Sequence, residues 1–450
     1  MTDQYTGRRP FAAIAFTAAL VLASLSPPCP SADAGTATTV AGPTWDALLP
    51  LSTTPHGYFV GPVFDSAGDA WALVYDTTLR VLRSSGATGS WAAPVTLLDP
   101  LGDAFNPQIA VDAAGNVSVV YWSGGYSQLT AFHYSSATGW QGPEVAYSSA
   151  GPVFFGAINL ATDSANNLVV VFDQMSAESR SEAWTIVYSR ATGTWGAAQQ
   201  LSAPGRDAFL QTVAQSKDGS TIMLAYLQDF PGEGRVYSHV WAASSRSWRP
   251  AQRLPAATKL VDYGIAFLWS RFPLTVDASG DATLLAPLSG AIYGFRYEGG
   301  RWKRGTQLLE TFIQFMLDYG DAAVNDSGVV LGAMTNFSPE GTQTLWIFRF
   351  TPGEGWNTEM AAEISTPNNF SRCRVAWFGA SGEAVATYQD SELRSVVYTD
   401  GAWSRFPTIP GALSTASHET ATAPTGEVLL LLDATDADPP TGIVATWLRR

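Results

Sequence analysis

Five apolar runs in this sequence end in aspartate: Asp76, Asp173, Asp229, Asp390 and Asp433. Carboxylates that recur at one structural position would form a ring. Such a ring could hold a structural Ca2+ or accept hydrogen bonds from sugar hydroxyls. A strand-end aspartate that simply opens a loop is the plainer alternative. A second set of acids, Asp65, Asp112, Asp163 and Asp277, sits in short turns such as "DAAGN". Hydrogen bonding to backbone amides two residues on explains those in full. A third group mixes rings with charges. "KLVDYGIAFLWSRFP" brings Asp262, Tyr263, Trp269 and Arg271, "FMLDYGD" brings Asp318 and Tyr319, and "PNNFSRCRV" brings Arg372 and Arg374. Sugars offer apolar ring faces as well as hydroxyls, so aromatics beside carboxylates and arginines suit a glycan; rim charge and packing would produce the same residues.

Other chemistries find little here. His56, His133, His239 and His418 are scattered without H-x-x-x-H or H-E-x-x-H spacing, which argues against a zinc site. "GASGE" does not match G-x-S-x-G, and there is no G-x-x-x-x-G-K-[ST] phosphate loop. No cofactor is called for beyond the Ca2+ considered above.

The elements that would position these residues are legible as repeats. "PQIAVDAAGNVSVVYW" (Pro107 to Trp122) recurs as "VFDSAGDAWALVYD" from Val63, "LATDSANNLVVVFD" from Leu160 and "VAQSKDGSTIMLAY" from Val213. It continues as "LTVDASGDATLLAP" from Leu274, "AAVNDSGVVLGAM" from Ala322, "AWFGASGEAVATYQD" from Ala376 and "TATAPTGEVLLLLD" from Thr420. A glycine–tryptophan motif follows each turn. Counted from Trp45 through Trp91, Trp140, Trp195, Trp248, Trp302, Trp356 and Trp403, the gaps are 46, 49, 55, 53, 54, 54 and 47. Each period reads as four strands: an apolar strand, a tight turn, a second apolar run, a variable loop, a third strand, a second turn, and a strand opening with tryptophan. Four strands in about 50 residues describe a propeller blade. The fold class is therefore all-β, a β-propeller of four-stranded antiparallel blades. Eight blades are expected, with seven as the alternative if the copy from Thr420 is an irregular closure. "PTWDALLPLS" at the start is a closing strand without a blade, and the last copy lacks one, so the N- and C-terminal strands should pair.

This pattern resembles the sialidase-superfamily propellers with Asp-box (BNR-like) repeats, in degenerate form. "YTDGAW", Tyr398 to Trp403, keeps the Asp-Gly-Trp elements of that signature at shortened spacing. Sialidases usually have six blades. Fucose-binding propeller lectins are a further likeness. The sialidase resemblance implies an arginine cluster for a substrate carboxylate, a tyrosine nucleophile with a glutamate partner, and an acid. "SRFPL" is similar to the family's R-I-P element, which carries over Arg271; Glu310 with Tyr319, or Glu419, would be partners.

Antiparallel order separates the two ends of each blade. The recurrent turns share one face. The variable loops and the inter-blade segments share the other, where binding and chemistry usually sit. On "PQIAVDAAGNVSVVYW" that places Asn106, Gln108 and Trp122 on the variable face. The expected function is a non-catalytic exported propeller that presents this face to a glycan or an extracellular protein. The alternative is a divergent sialidase-like hydrolase or lyase.

Composition narrows the partners. The chain has 450 residues, 46% hydrophobic and 14% charged, with net charge −14 and three lysines, Lys217, Lys259 and Lys303. Without a basic block it is a poor partner for nucleic acid or an anionic membrane. Arg8, Arg9 and the apolar run Phe11 to Leu25, followed by "SADAG", read as a signal peptide over residues 1–34. "GRRPFAA" is similar to a twin-arginine signal, so either the twin-arginine or the general secretory route would deliver the chain to the periplasm or outside the cell. Residues 35–42 form a short linker and 43–450 one propeller domain. The mature chain has no stretch for membrane insertion. It keeps a single cysteine, Cys373, so no internal disulfide can form, and a monomer is expected.

Overall fold

The computed structural model describes residues 43–449 except 53–56, 87, 150–156, 177, 179, 229–233, 256–271, 289–290, 311–319, 338–341, 365–371, 380–381, 391, 406–408, 410–416 and 434–441. The signal and linker assignments lie outside these residues, as do Asp229, Asp262, Tyr263, Trp269, Arg271, Asp318 and Tyr319.

The described residues form eight antiparallel sheets, each a blade of four strands taken here as A (innermost) to D. Blade 2 shows the plan: Phe105–Val111, Val117–Ser123, Gln128–Ser135 and Gly139–Ser148. Each A strand lies beside the A strands of the two neighbouring blades, and that of blade 8 (His418–Thr422) returns to that of blade 1 (Tyr58–Phe64). The ring therefore closes with eight blades. The eighth is completed from the other end of the chain. Thr44 and Trp45 pair with Arg449 and Leu448, and Thr446 Oγ1 donates to the Asp46 carbonyl at 2.7 Å. This closure ties the two ends of the described chain by hydrogen bonds, and it removes the edges a broken ring would expose.

The repeats explain themselves locally. Asp112 Oδ1 accepts the N–H groups of Ala114 and Asn116, both at 2.9 Å. Gly115 supplies the positive φ (76°) that the hairpin needs. Asp65, Asp163, Asp277 and Asn325 make the same pair of bonds. The B strands are buried on both faces because each is sandwiched between adjacent blades. Leu168 to Phe172 are all fully buried. The closing tryptophans reach back one blade. Trp248 Nε1 donates to Thr185 Oγ1 (3.2 Å), Trp302 Nε1 to Ser238 Oγ (2.6 Å) and Trp45 Nε1 to Ser395 Oγ (3.2 Å). Each indole thus fills an inter-blade seam and finds a hydroxyl for its polar edge.

Along the central channel the A strands have no further strand to pair with. Side chains of the adjacent blade meet their backbone groups instead. Asp321 Oδ2 accepts from the Val375 N–H at 3.0 Å, and Thr422 Oγ1 donates to the Trp377 carbonyl at 2.8 Å.

Candidate functional site

The A–B and C–D turns hold each blade together, which leaves the opposite face for binding and chemistry. Its A-strand starts in blades 6, 7 and 8 bring Asp321, Cys373, Arg374, His418 and Glu419 to one side of the channel mouth. Arg374 clasps Glu419 with two bonds, Nε to Oε2 at 2.7 Å and Nη2 to Oε1 at 2.6 Å, and Nη1 donates to the Cys373 carbonyl at 2.9 Å. Burial pushes the Asp321 carboxyl up, and Arg374 only partly offsets this. At Glu419 burial also raises the carboxyl, but Arg374 prevails and holds it below the usual range. The Cys373 thiol is pushed up to about 12, chiefly by burial, and is inert. His418 is fully buried and is driven down to about 3, by burial and then by Arg374. Each nitrogen of the Arg374 guanidinium is thus engaged, and the group reads as a charged pin across three blades. Arg372 donates to Ser417 Oγ at 2.7 Å and adds its charge at His418 and Glu419.

Two of the aspartates at B-strand ends, Asp76 and Asp390, meet an arginine of their own blade. Asp76 takes Arg80 Nη2 at 2.7 Å and the Thr78 N–H at 2.9 Å. Asp390 lies 3.4 Å from Arg394 Nε. Asp173 is buried in blade 3, and the Asp433 N–H bonds the Ser417 carbonyl at 3.0 Å. Among the described residues, no three of His, Cys, Asp and Glu come together as a group that could hold a metal ion.

A Ser–His–Glu constellation invites a catalytic reading and fails it. Ser118 Oγ lies 2.9 Å from His133 Nδ1, and His133 Nε2 lies 3.2 Å from Glu144 Oε1. Ser118 is fully buried between blades and accepts a hydrogen bond from Arg190 Nη2 at 2.7 Å. No substrate carbonyl could reach it there. The imidazole is held down at about 3, by burial and then by Arg190. It therefore cannot serve as a base near neutral pH.

Among the described residues, the exposed large rings of this face lie in blades 1 and 2. Tyr58 opens the first A strand and is 67% exposed; Phe105 opens the second at 43%; Tyr126, in the B–C loop of blade 2, is 44% exposed. Tyr58 stacks on Tyr75 (centroids 5.4 Å apart, planes 24° apart), and Phe105 meets Tyr126 edge-on (5.0 Å, 82°). The other large apolar side chains exposed among the described residues lie on or beside D strands. Between the rings run polar groups. Gln108 Nε2 donates to Asn106 Oδ1 at 3.0 Å, and Asp103 Oδ2 accepts the Gly125 N–H at 2.8 Å. Asn106 and Tyr126 both have positive φ, 48° and 67°. Exposed ring faces with amides and a carboxylate alongside can hold a sugar by stacking and by hydroxyl hydrogen bonds.

The sequence-derived candidates divide accordingly. Asn106 and Gln108 belong to this surface. Trp122 is a correction: it is fully buried edge-on to Phe172 of blade 3, 5.8 Å between centroids, and packs the seam. Sequence reasoning misses Tyr58, Phe105 and Tyr126. The first two stand at A-strand starts, where an apolar residue is expected to be core, and nothing in "GYFV" or "DAFNPQ" announces exposure.

No protein-family model and no curated protein sequence matches the chain. Solved structures do. The chain is similar to the BP39L lectin from Burkholderia pseudomallei, at 14% identity over 79% of this chain and 99% of that one, with a TM-score of 0.53. The likeness is one of fold. The polysaccharide lyase Uly1 (10% identity, 92% and 94% covered, TM-score 0.49) and the NanB sialidase K499G mutant from Streptococcus pneumoniae (9%, 90% and 92%, 0.39) are more distant. The propeller implied by the sialidase resemblance is present; the Asp-box assignment finds no matching family.

Proposed function

We propose that this protein is an exported, carbohydrate-binding propeller that holds a glycan on the variable face of blades 1 and 2. The exposure of Tyr58, Phe105 and Tyr126 carries the reading. The other described rings are buried or half-buried, and here three are presented to solvent near Asn106, Gln108 and Asp103. The fold is also one on which a lectin is built in Burkholderia pseudomallei. Export by the segment 1–34 would place the protein in the periplasm or outside the cell, where glycans and extracellular proteins are its available partners.

Glycan-array screening followed by calorimetry tests the proposal. Tyr58→Ala and Phe105→Ala should each weaken a glycan hit by about tenfold or more. Their melting temperatures should stay near that of the parent, because exposed side chains contribute little to folding. A chain that retains no glycan but captures an extracellular protein through the same face would replace the ligand. Turnover of a fluorogenic sialoside, abolished by Arg271→Ala, would replace binding with catalysis.

A further inference from the structure

We infer that the blade 1–2 surface selects uncharged sugars and rejects acidic ones, with Asp103 as the determinant. This rests on the glycan-binding reading above and deepens it.

The first observation is an absence in the sequence. Between Arg83 and Arg180 the chain contains no lysine and no arginine. All of blade 2 falls within that interval, including Phe105, Asn106, Gln108 and Tyr126. Blade 1 brings Arg80 to the same face, but its side chain is mostly buried and its charge is already paired, Nη2 with Asp76 at 2.7 Å and Ser52 Oγ at 3.3 Å. A sugar carboxylate desolvated against an aromatic face needs a cation, and a bidentate arginine is the usual solution. The described residues of this surface offer none.

The second observation is where the local carboxylate stands. Asp103 is exposed, two residues before Phe105, and it is anchored by the N–H of Gly125, the residue before Tyr126. One side chain thus ties together the two segments that carry the crossed rings, and fixes a negative charge beside them. Its influence is felt nearby: the Tyr121 phenol is pushed up to about 12, by burial first and by Asp103 second. An ionised carboxylate has about four lone-pair sites. The Gly125 N–H takes one, which leaves acceptors for sugar hydroxyls. The same group repels a uronate or a sialate.

Matched monosaccharides separate the charge from everything else. Methyl galactoside and methyl glucoside differ from the galacturonide and glucuronide only in oxidation at C6. Calorimetry on the mature chain at low and at high salt, near pH 7, should find the neutral member bound at least about tenfold more tightly at low salt. The ratio should shrink at high salt as screening rises. In Asp103→Asn, which keeps an acceptor for Gly125, the ratio should fall to within about threefold while the melting temperature holds. Uronides that bind as well as or better than their neutral counterparts would overturn the inference and leave glycan binding standing. So would an unchanged ratio in Asp103→Asn. If no member of either pair binds and the array is also blank, the functional reading falls, and the selectivity with it.

Discussion

Two buried histidines set how this propeller should respond to acid. His133 and His418 are 7% and 0% exposed. Both imidazoles are held at about 3. The ordinary value is about 6.5. Burial is the leading cause at each; Arg190 adds to it at His133, and Arg374 at His418. The folded value is the depressed one. Below about pH 6.5 the unfolded chain therefore binds a proton at each histidine that the folded chain does not. Stability present at neutral pH is lost as pH falls toward 3, at about 1.4 kcal/mol per unit per histidine. From pH 7 to pH 5 that amounts to roughly 2 kcal/mol each and about 4 kcal/mol together. His239, also lowered by burial, acts in the same direction. Asp321 acts against it, because its buried carboxyl takes a proton in the fold before it does in the unfolded chain. The single-histidine variants, and not the total slope, therefore carry the test. Urea unfolding followed by tryptophan fluorescence, repeated at half-unit steps from pH 7 to pH 5, should show a falling free energy. His133→Gln and His418→Gln should each remove about 2 kcal/mol of that fall, whatever they cost at pH 7. If both variants keep the parent slope, the imidazoles are charged in the fold. For His133 the agent would then be Glu144, 3.2 Å from Nε2 but half exposed and already accepting Trp195 Nε1 at 2.7 Å.

Two further outcomes test the ring itself. Arg374→Met removes the cation from Asp321 and Glu419 together. A fully buried pair broken this way costs about 3–5 kcal/mol. Here the loss is reduced to roughly 2–4 kcal/mol by solvent screening, because the Glu419 side chain stays 36% exposed. Chemical denaturation should find that loss, and Arg374→Met combined with Glu419→Met should recover most of it; an unrecovered loss would mean that Arg374 acts through packing alone. Trp45→Ala should cost about 3–5 kcal/mol by the same measurement, since the indole sits on the strand that completes blade 8 and fills the seam between blades 7 and 8. A loss under about 1 kcal/mol, the range of a surface substitution, would show that the blade 8 pairing of the termini contributes little.

The fold was legible because it is repeated. One Asp112 could have been a catalyst, whereas turns of the same type at Asp65, Asp163 and Asp277 show that it belongs to the blade. The tryptophan spacing sets the period, and Trp45 without a blade of its own implies the closure. The proposed binding surface was far less legible, for the same reason in reverse. Tyr58 and Phe105 occupy a position that is core-like in pattern, and only the neighbouring backbone decides that they stay wet. Asn106 and Gln108 stand at the start of the blade 2 A strand, the end that strand order alone assigns them. Trp122 is misplaced because strand order says which end of a blade a residue occupies, and says nothing of whether the adjacent blade covers it. Arg374 looks available by sequence; its partner Glu419 lies 45 positions away in the next blade, and only ring geometry joins them.

Backbone strain adds an independent argument for the blade 2 loop. The described non-glycine residues with positive φ are Asn106, Tyr126, Asn166, Arg246 and Asp400. Asn166, Arg246 and Asp400 sit in the tight turns of blades 3, 4 and 7, where hairpin geometry demands that conformation. Asn106 and Tyr126 sit at the opposite end, and both are in blade 2. Asparagine tolerates the left-handed region through local hydrogen bonding, but tyrosine does not, and the cost is about 1–2 kcal/mol. Gly124 and Gly125, immediately before it, adopt the same conformation at φ 60° and 65°. Glycine does so without strain, so a third glycine would have suited the loop better. The tyrosine ring does not offset the difference through burial, since it is 44% exposed and touches the equally exposed Phe105. A strained residue that contributes little to folding is best explained by what its side chain does outside the fold. That supports the proposed binding role of the loop where Asp103 anchors Gly125, in the part of the chain that carries no lysine or arginine.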